Sequence, residues 1–445
     1  MAQPVPAFQP ASPPPSLRQM FMLWSPIAAS IAMMVMEPSI INIALGRAAD
    51  AEVALAAYGV AYGLAILIES PIIMLLDASV ARSTNRGAFA LVKRFTLALA
   101  LAVTALGLLV SLTPLYTIVV EQLMRIPADI AAQTRPTLQI LSLWPLPIAW
   151  RRSHQGVLIR AQKTGIITAA TMLRLLILTV VLFGGLRVLP AKGAVVAGIA
   201  MVISVTAEAA LTTWATQRAL QTDLSEGTDL TSRDLWRFYS PLLVTSVLNH
   251  SCRPMVSAGI ASAMLARPSL AAWPVAWGFV VLISGPAWSL QQLTTTLGTD
   301  QQAFRRVTRF AVGVGIVLSL LLAAVAFTPL YDLVLGRVYN LSADLRDLAR
   351  APVQLMVIYP ILTSAASLLR GQLIRSGRTP TVRAAMLVGV AGLGLMLVLG
   401  ITRLSVTGVM LAAVATLAGA LAELAWLRYR LDDTTAWRRS PQPQS

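Results

Sequence analysis

The sequence predicts an all-α polytopic membrane protein whose twelve transmembrane helices form two parallel six-helix lobes, related by a pseudo-twofold axis, around a central cleft. Charged residues make up 12% of the 445-residue chain, about half of their share in soluble proteins, and hydrophobic residues make up 56%. Uncharged apolar stretches near the roughly 20 residues that cross a bilayer recur along the whole length. In addition, the stretch LAAYGVAYG at 55–63 returns as LAAWPVAWG at 270–278.

The apolar stretches predict the twelve spans in order, and a polar segment divides them into two groups of six. The predicted spans are 17–46, 52–77, 89–112, 136–160, 165–187, 193–217, 236–264, 269–296, 304–327, 351–375, 381–402 and 406–428. The polar segment RALQTDLSEGTDLTSRD ends with Thr231 and Asp234 in capping-box spacing, just before the seventh span. We therefore expect the following organisation: a disordered Pro-rich tail at 1–16, an N-lobe at 17–217, a cytoplasmic linker at 218–234, a C-lobe at 235–430 and a cytoplasmic tail at 431–445.

Both chain ends are predicted on the cytoplasmic side of the membrane. An even number of spans returns the chain to the face where it began, and this orientation places about 23 lysines and arginines in interior loops and tails against about 10 outside. The interior set includes Arg82, Arg86, Lys93, Arg94, Arg160, Lys163, Arg305, Arg306, Arg375, Arg378, Arg428 and Arg430. The prediction is an integral, multi-pass protein of the inner or plasma membrane.

The repeat holds at a constant offset of 215 positions (270 − 55) across six spans. Matched positions include TPLY at 113–116 and 328–331, Pro71 and Pro286, Asp129 and Asp344, Arg135 and Arg350, Gly156 and Gly371, Arg160 and Arg375, and Glu208 and Glu423. Because each unit has an even number of spans, both units insert in the same orientation and enclose a cleft near the bilayer midplane. This plan is typical of secondary transporters that work by alternating access.

The repeated aromatic–glycine stretch starts the second and eighth spans. Tyr58 and Tyr62 correspond to Trp273 and Trp277, which are four positions apart and so share one helix face. Aromatic residues anchor helices at membrane interfaces, and we expect a structural role for these pairs near the outer side. The two stretches also differ at one position, where Gly59 of the second span corresponds to Pro274 of the eighth. The proline predicts a stiffer or bent eighth span.

Charged residues inside the spans need a reason, because a charge at the bilayer centre costs at least about 2.5–3.5 kcal/mol. Charges that repeat in both halves are expected to support the architecture of each lobe. We predict that Arg160 pairs with Glu208 and that Arg375 pairs with Glu423. Charges found in one half only are expected at the substrate site: Glu37, Glu69, Arg151, Arg152, Arg174, Arg253 and Arg370.

The five unmatched arginines exceed the two unmatched acids, which predicts a positive cleft. A guanidinium group stays protonated and offers a planar fork of donors to carboxylate or phosphate. Arg174 lies about 14 Å into its span and Arg253 about 25 Å into its own, both in the middle region. The predicted substrate-binding set is Arg253, Arg174, Arg151, Arg152, Arg370, Asn249 and Asn42.

Each of these arginines also has a structural interpretation. Arg253 would pair with Glu37 across the lobes, and Arg174 would pair with Glu69 or Glu208. The arginines in the cytoplasmic parts of spans 4 and 10 would instead extend toward lipid phosphate.

Four further residues are candidates for gating or coupling: Glu37, Glu69, His154 and His250. Glu37 precedes Pro38 in mid-span, and proline frees a backbone carbonyl there, which suits a hinge or a cation site. The structural alternatives are an ion pair with arginine for the acids and a packed imidazole for the histidines.

No enzyme chemistry is indicated by the sequence. It contains no Walker A loop, no HExxH motif, no metal-ligand spacing and no Gly-x-Ser-x-Gly elbow, and Cys252 is its single cysteine. We therefore predict a non-enzyme without cofactors or metal, and no ATP-driven pumping within this chain. The net charge of +16 does not indicate nucleic-acid binding, because the bases lie at helix ends and inside helices.

Family motifs narrow the prediction. TPLY after the third span, followed by an amphipathic stretch and a Pro-containing fourth span, is similar to the multidrug/oligosaccharidyl-lipid/polysaccharide superfamily, which includes the MATE exporters. Within it the chain resembles the progressive ankylosis (ANK) transporter family in LAAYGVAYGL, WPLPIAWRRSHQGVLI, CRPMVSAGIAS, AAWPVAWG and GALAELAWLRYR. The resemblance implies export of small polyanions, with ATP, pyrophosphate and citrate-like acids as candidates.

The resulting hypothesis is a monomeric alternating-access exporter of small anions, coupled to H+ or Na+ or uncoupled, in contact with membrane lipid. An apolar, acidic cleft would instead indicate a MATE-type drug or cation exporter. A flippase of an anionic lipid-linked intermediate would need a lateral portal and a hydrophobic groove. A non-transporting scaffold would gain little from the cost of inserting these charges.

Overall fold

The computed structural model describes residues 15–223, 226–227 and 230–432, which fold as twelve membrane spans. Ten of the spans are long and apolar enough to cross a bilayer. The other two, spans 4 and 7, are the repeat equivalents of spans 10 and 1, and they are less apolar because they contain Arg151, Arg152 and Arg253. Most of the two predicted tails and part of the predicted linker lie outside the described residues.

The helix bounds agree closely with the predicted spans. In the first half, spans 1 to 6 are Leu17–Leu45, Ala51–Ile73 with Leu75–Arg82, Arg86–Leu112, Ala128–Leu141 with Pro145–Arg160, Thr164–Val188 and Gly193–Asp223. In the second half, spans 7 to 12 are Ser232–His250 with Cys252–Ala261, Ala266–Ser284 with Leu290–Leu297, Gln301–Ala326, Ala343–Leu355 with Tyr359–Arg375, Thr379–Arg403 and Gly408–Asp432. Span 8 is joined through the 3-10 turn Gly285–Ser289, and span 10 through Met356–Ile358.

Helix caps repeat with the sequence. The Ser16 and Thr231 hydroxyls accept backbone N–H bonds that begin spans 1 and 7, and Asn85 and Asp300 do the same for spans 3 and 9. Thr231 accepts from the Asp234 N–H at 3.2 Å and donates its hydroxyl to the Asp234 carboxylate at 2.6 Å, which confirms the predicted cap. The two N–H bonds that Asp300 accepts hold the pKa of its carboxyl below the usual value.

Each TPLY stretch leads into a seven-residue π-helix that the sequence did not predict, Thr117–Leu123 and Asp332–Val338. The tyrosine of each TPLY stretch connects this region to the next span. Tyr116 donates to the Ala131 carbonyl at 2.6 Å, and Tyr331 donates to the Arg346 carbonyl at 2.7 Å. Spans 4 and 10 begin eight residues before the predicted starts (136 − 128 and 351 − 343).

The first helix of each lobe begins in contact with the other lobe. We call the face where span 1 begins the terminal face, which is the one predicted to be cytoplasmic, and the opposite one the far face. The first part of span 1 packs on spans 8 and 9, and the first part of span 7 packs on spans 2 and 3. Aromatic pairs at equivalent positions mark both contacts, Trp24 with Phe310 and Tyr239 with Phe95. The predicted lobe boundaries therefore describe the repeat, whereas the packing units are interleaved.

Glycine permits the tight contact of spans 2 and 4, and of spans 8 and 10. A Cβ at Gly156 would lie 2.9 Å from the carbonyl carbon of Ser79, and one at Gly371 would lie 2.7 Å from the Cβ of Thr294. We expect Gly156→Leu to lower the free energy of unfolding by about 1–3 kcal/mol, measured as a lower thermal midpoint in detergent. Gly184→Leu is the control, because a Cβ there meets nothing within 4 Å. Equal midpoints for the two variants would contradict the prediction.

Candidate functional site

The candidate site lies between the lobes, which meet at the far face. Spans 2 and 8 pack across the pseudo-twofold axis, where a Cβ at Gly59 would lie 3.5 Å from the Cβ of its repeat equivalent, Pro274. Asn42 Nδ2 donates to the Pro274 carbonyl at 2.8 Å. Nearer the surface, Arg267 of span 8 pairs with Asp129 at 2.9 Å and Glu52 at 3.4 Å. These contacts close the cleft on the far side.

The lobes separate toward the terminal face. There the ends of spans 2 and 4 (75–82 and 145–160) pack on each other and on span 3. The ends of spans 8 and 10 (290–297 and 359–375) pack on each other and on span 9. Within the described chain no extensive packing joins the first group to the second, in contrast to the direct contact of spans 2 and 8 toward the far face.

A buried ion network holds four spans of the N-lobe together. Glu208 of span 6, whose side chain is fully buried, accepts from Arg151 Nη1 of span 4 at 2.5 Å. Its carboxylate also lies 3.1 Å from Arg174 Nε of span 5, and Arg174 Nη1 in turn lies 2.8 Å from Glu37 Oε2 of span 1. Gln155 Nε2 and the Thr171 hydroxyl donate to the second Glu208 oxygen at 3.3 and 3.2 Å. Two arginines and two glutamates make this network electrically neutral.

The C-lobe contains one ion pair at the corresponding place. Arg370 donates to Glu423 Oε1 through Nε at 2.7 Å and through Nη2 at 2.5 Å. Arg370 is the repeat equivalent of Gln155 (370 − 215), so the same position of span 4 or 10 contacts the same glutamate in both lobes. Both glutamates thus form ion pairs inside their lobe, but with partners other than the predicted ones.

The predicted pairs Arg160–Glu208 and Arg375–Glu423 are wrong. Arg160 Nη1 donates to the Val80 carbonyl at 2.9 Å, and Arg375 Nη1 donates to the Thr295 carbonyl at 2.8 Å. These acceptors are themselves 215 positions apart (295 − 80). Both arginines lie at the terminal end of their span, whereas Glu208 lies 15 residues, or about 22 Å, before the end of span 6. The difference in depth prevents the pairing.

Arg253 is half-buried and lies in the middle of the membrane, against the opposite lobe. Its Cβ would be 3.7 Å from a Cβ at Gly63, twelve residues (63 − 51) or about 18 Å from the far end of span 2. Its guanidinium carbon lies 5.2 Å from the centroid of the Tyr62 ring. Among the described residues no acid forms an ion pair with Arg253, and the alternative partner Glu37 pairs with Arg174 instead.

Arg152 and Glu69 are the other charged candidates that lack an ion pair within the described chain. Arg152 is half-buried and its Nε has no hydrogen-bond partner, and Glu69 Oε2 is buried without one. The positive excess is smaller than predicted, because five arginines face four glutamates once Glu208 and Glu423 are included, a net charge of +1.

The asparagine and histidine candidates differ in their burial and contacts. Asn249 is exposed, whereas Asn42 is buried in the contact between the lobes already described. His154 is packed between Trp150 and Phe89, with Nδ1 at 2.7 Å from the Trp150 carbonyl. His250 is half-buried, with Nδ1 at 2.8 Å from the Ser246 carbonyl.

Three residues around the site were missed or assigned another role from the sequence. Gln155 and Thr171 complete the coordination of Glu208, and Tyr62 lies under Arg253. Gln155 could have been found from its repeat equivalent, because an arginine at 370 marks this position as one that contacts an acid. The predicted aromatic pairs do stack on one helix face, with centroids 5.7 Å apart for Tyr58–Tyr62 and 5.6 Å for Trp273–Trp277.

The fold and the enclosed charges define a class: a twelve-span, two-lobed membrane protein of the MATE-like architecture. Solved structures share it over nearly the whole chain. The lipid II flippase MurJ in an inward closed conformation has a TM-score of 0.71 at 13% identity, covering 92% of this chain and 87% of that one. A MATE-family multidrug resistance transporter of the MOP superfamily, inward-facing, has a TM-score of 0.67 at 14% identity, covering 92% and 98%. The eukaryotic MATE transporter AtDTX14 has a TM-score of 0.59 at 15% identity, covering 95% and 97%.

These identities are low, so the likeness establishes the fold alone, which this chain shares with MATE-family transporters and MurJ. Together with the ten apolar helices it supports an integral, multi-pass membrane protein. No family model and no curated protein matches the sequence. The resemblance to the ANK family stays a prediction.

Proposed function

We propose that this chain is an alternating-access transporter that carries a small organic or phosphate-bearing anion through the cleft between its lobes. The observation that supports the proposal best is Arg253, a half-buried arginine in mid-membrane with no ion pair among the described residues and an aromatic ring of the opposite lobe beneath it. An arginine placed in this way costs free energy until an anion neutralises it. Its donor fork fits a carboxylate or phosphate in two hydrogen bonds.

Arg253 and Arg152 would form the anion site, while the network around Glu208 and the pair Arg370–Glu423 hold the lobe interiors rigid. This divides the predicted substrate-binding arginines into two groups by the partners they already have. Arg152 comes from span 4 of the first lobe and Arg253 from span 7 of the second. An anion held by both would therefore bridge the lobes.

The test is uptake of labelled citrate, ATP and pyrophosphate into proteoliposomes. For the anion that is transported, we expect Arg253→Ala to lower uptake at subsaturating concentration by about 10- to 100-fold, the loss of one to two charge-assisted hydrogen bonds. Arg253→Lys should be intermediate, since it keeps the charge but loses the fork. Arg403→Ala, an exposed arginine at the end of span 11, is the control. Equal uptake by wild type and Arg253→Ala would remove Arg253 from the site.

A second candidate is a MATE-type exporter of organic cations, and the observation that favours it is Glu69. This carboxylate is buried in mid-span with one oxygen lacking a hydrogen bond, which suits a cation or a proton as partner. Export of a lipophilic cationic dye that Glu69→Gln abolishes and Arg253→Ala leaves intact would support this candidate. The opposite pattern supports the anion transporter.

A further inference from the structure

An apolar groove of about 670 Å³ lies on the membrane-facing surface between the first two turns of span 1 and the first two thirds of span 9. Phe21 and Trp24 form one wall, and Gly313 and Val317 form part of the other. Phe21 is 54% exposed and Val317 is 63% exposed, so the groove is open to the bilayer. It is distinct from the candidate site, because none of its lining residues belongs to that site.

Two arginines stand at the terminal-face end of this groove. Arg306 and Arg309 line it together with Gly313 and Val317, and this spacing places all four on one stripe of span 9. From Arg306 to Val317 is eleven residues (317 − 306), or about 16 Å. Half of the hydrocarbon core of a bilayer is about 15 Å thick. The groove thus runs from the charged surface to the midplane, the length of one leaflet.

The repeat provides an internal comparison, because the equivalent place lies between spans 7 and 3. There the ring centroid of Trp236, the counterpart of Phe21, packs 6.2 Å from that of Phe95. Leu91 replaces the first arginine and Ala98 replaces the glycine, whereas Arg94 matches Arg309. The shared architecture therefore needs neither Arg306 nor a glycine at 313.

We propose that this groove binds one anionic phospholipid of the leaflet at the terminal face, with an acyl chain along Phe21 and Val317 and the phosphate at Arg306 and Arg309. Guanidinium groups bind phosphate in a bidentate geometry, and a basic residue near an anionic membrane contributes about 1 kcal/mol, or about fivefold in affinity. Span 1 belongs to the first repeat and span 9 to the second. A lipid held here bridges the two repeats and is placed to influence how they move.

The test is native mass spectrometry of the purified full-length protein, titrated with phosphatidylglycerol or with phosphatidylcholine. We expect one phosphatidylglycerol molecule to bind at least about tenfold more tightly than phosphatidylcholine. The double variant Arg306→Ala/Arg309→Ala should lose this preference. Gly313→Phe fills the groove without touching the charges, because a Cβ there meets nothing within 4 Å, and it should lower the binding of both lipids. Arg94→Ala, the repeat counterpart of Arg309, should change neither.

Three results would overturn the proposal. The first is equal retention of the two lipids by wild type, and the second is an unchanged phosphatidylglycerol preference in the double arginine variant. The third concerns another occupant, residues 1–14, which precede Pro15 at the edge of the groove. Deletion of 2–14 should leave lipid binding unchanged, and a rise of more than fivefold would make that segment the occupant. If the double arginine variant fails to fold, Gly313→Phe carries the test alone.

Discussion

Replacement of Glu208 by glutamine is expected to lower the free energy of unfolding by about 3–5 kcal/mol, because it breaks a buried ion pair. Glu208 is the only partner of Arg151 at ion-pair distance among the described residues, and it is one of two partners of Arg174. The variant leaves a net charge of +1 buried among spans 1, 4, 5 and 6. The measurement is the thermal unfolding midpoint in detergent, together with the yield of monodisperse protein.

A double variant and a matched single variant separate charge from packing. Glu208→Gln with Arg151→Gln restores a neutral network, and we expect it to be more stable than Glu208→Gln alone. Glu423→Gln, at the equivalent position, should cost less, because the side chains of Arg370 and Glu423 are 20% and 12% exposed and only one arginine loses its partner. If adding Arg151→Gln to Glu208→Gln lowers the free energy of unfolding further, charge balance is not what stabilises the network.

A disulfide between positions 59 and 274 is expected to abolish transport reversibly. A Cβ at Gly59 would lie 3.5 Å from the Cβ of Pro274, within the range of about 3.5–4.5 Å found in disulfides. These residues face each other where the lobes meet on the far side, so a covalent bond there prevents the far side from opening. Gly59→Cys with Pro274→Cys, in a Cys252→Ser background, should show background uptake when oxidised and recover at least severalfold on reduction.

Each single-cysteine variant is the control for the two substitutions, since Pro274→Cys also removes a proline from span 8. Each single-cysteine variant should show the same uptake with reductant as without it. Full uptake by the oxidised double variant, with the crosslink confirmed by mass, would show that the lobes need not part at this point. Alternating access by separation of spans 2 and 8 would then be wrong.

Most of the fold could be predicted because its signals are local or periodic. Apolar length places each span, and caps such as Thr231 mark where spans begin. The constant 215-residue offset predicts two equivalent lobes without any three-dimensional information. What it did not predict are the π-helices after each TPLY and the exchange of the first parts of spans 1 and 7. A short irregular helix has no periodic signal, and the exchange depends on contacts between distant segments.

The site was harder to predict than the fold. The rule that repeated charges pair with each other chose Arg160 for Glu208, yet the partner is Arg151, nine residues (160 − 151) or about 14 Å deeper in the same span. Spacing along one helix fixes which residues share a face, but not which face of a second helix they meet. The same holds for Arg253, whose alternative partner was Glu37. The side chain of Glu37 pairs with Arg174 instead, which leaves Arg253 without an ion pair in the described chain.

The sequence by itself therefore determined a twelve-span membrane protein built from two equivalent halves, and it supplied a set of buried charges that includes the functional candidates. Only the tertiary structure decided which of those charges neutralise one another and which remain available to a substrate. The physical reason is that hydropathy and repetition act along the chain, whereas ion pairing depends on the depth and rotation of helices that are distant in sequence. In the described chain, that packing leaves Arg253, Arg152 and Glu69 without ion pairs.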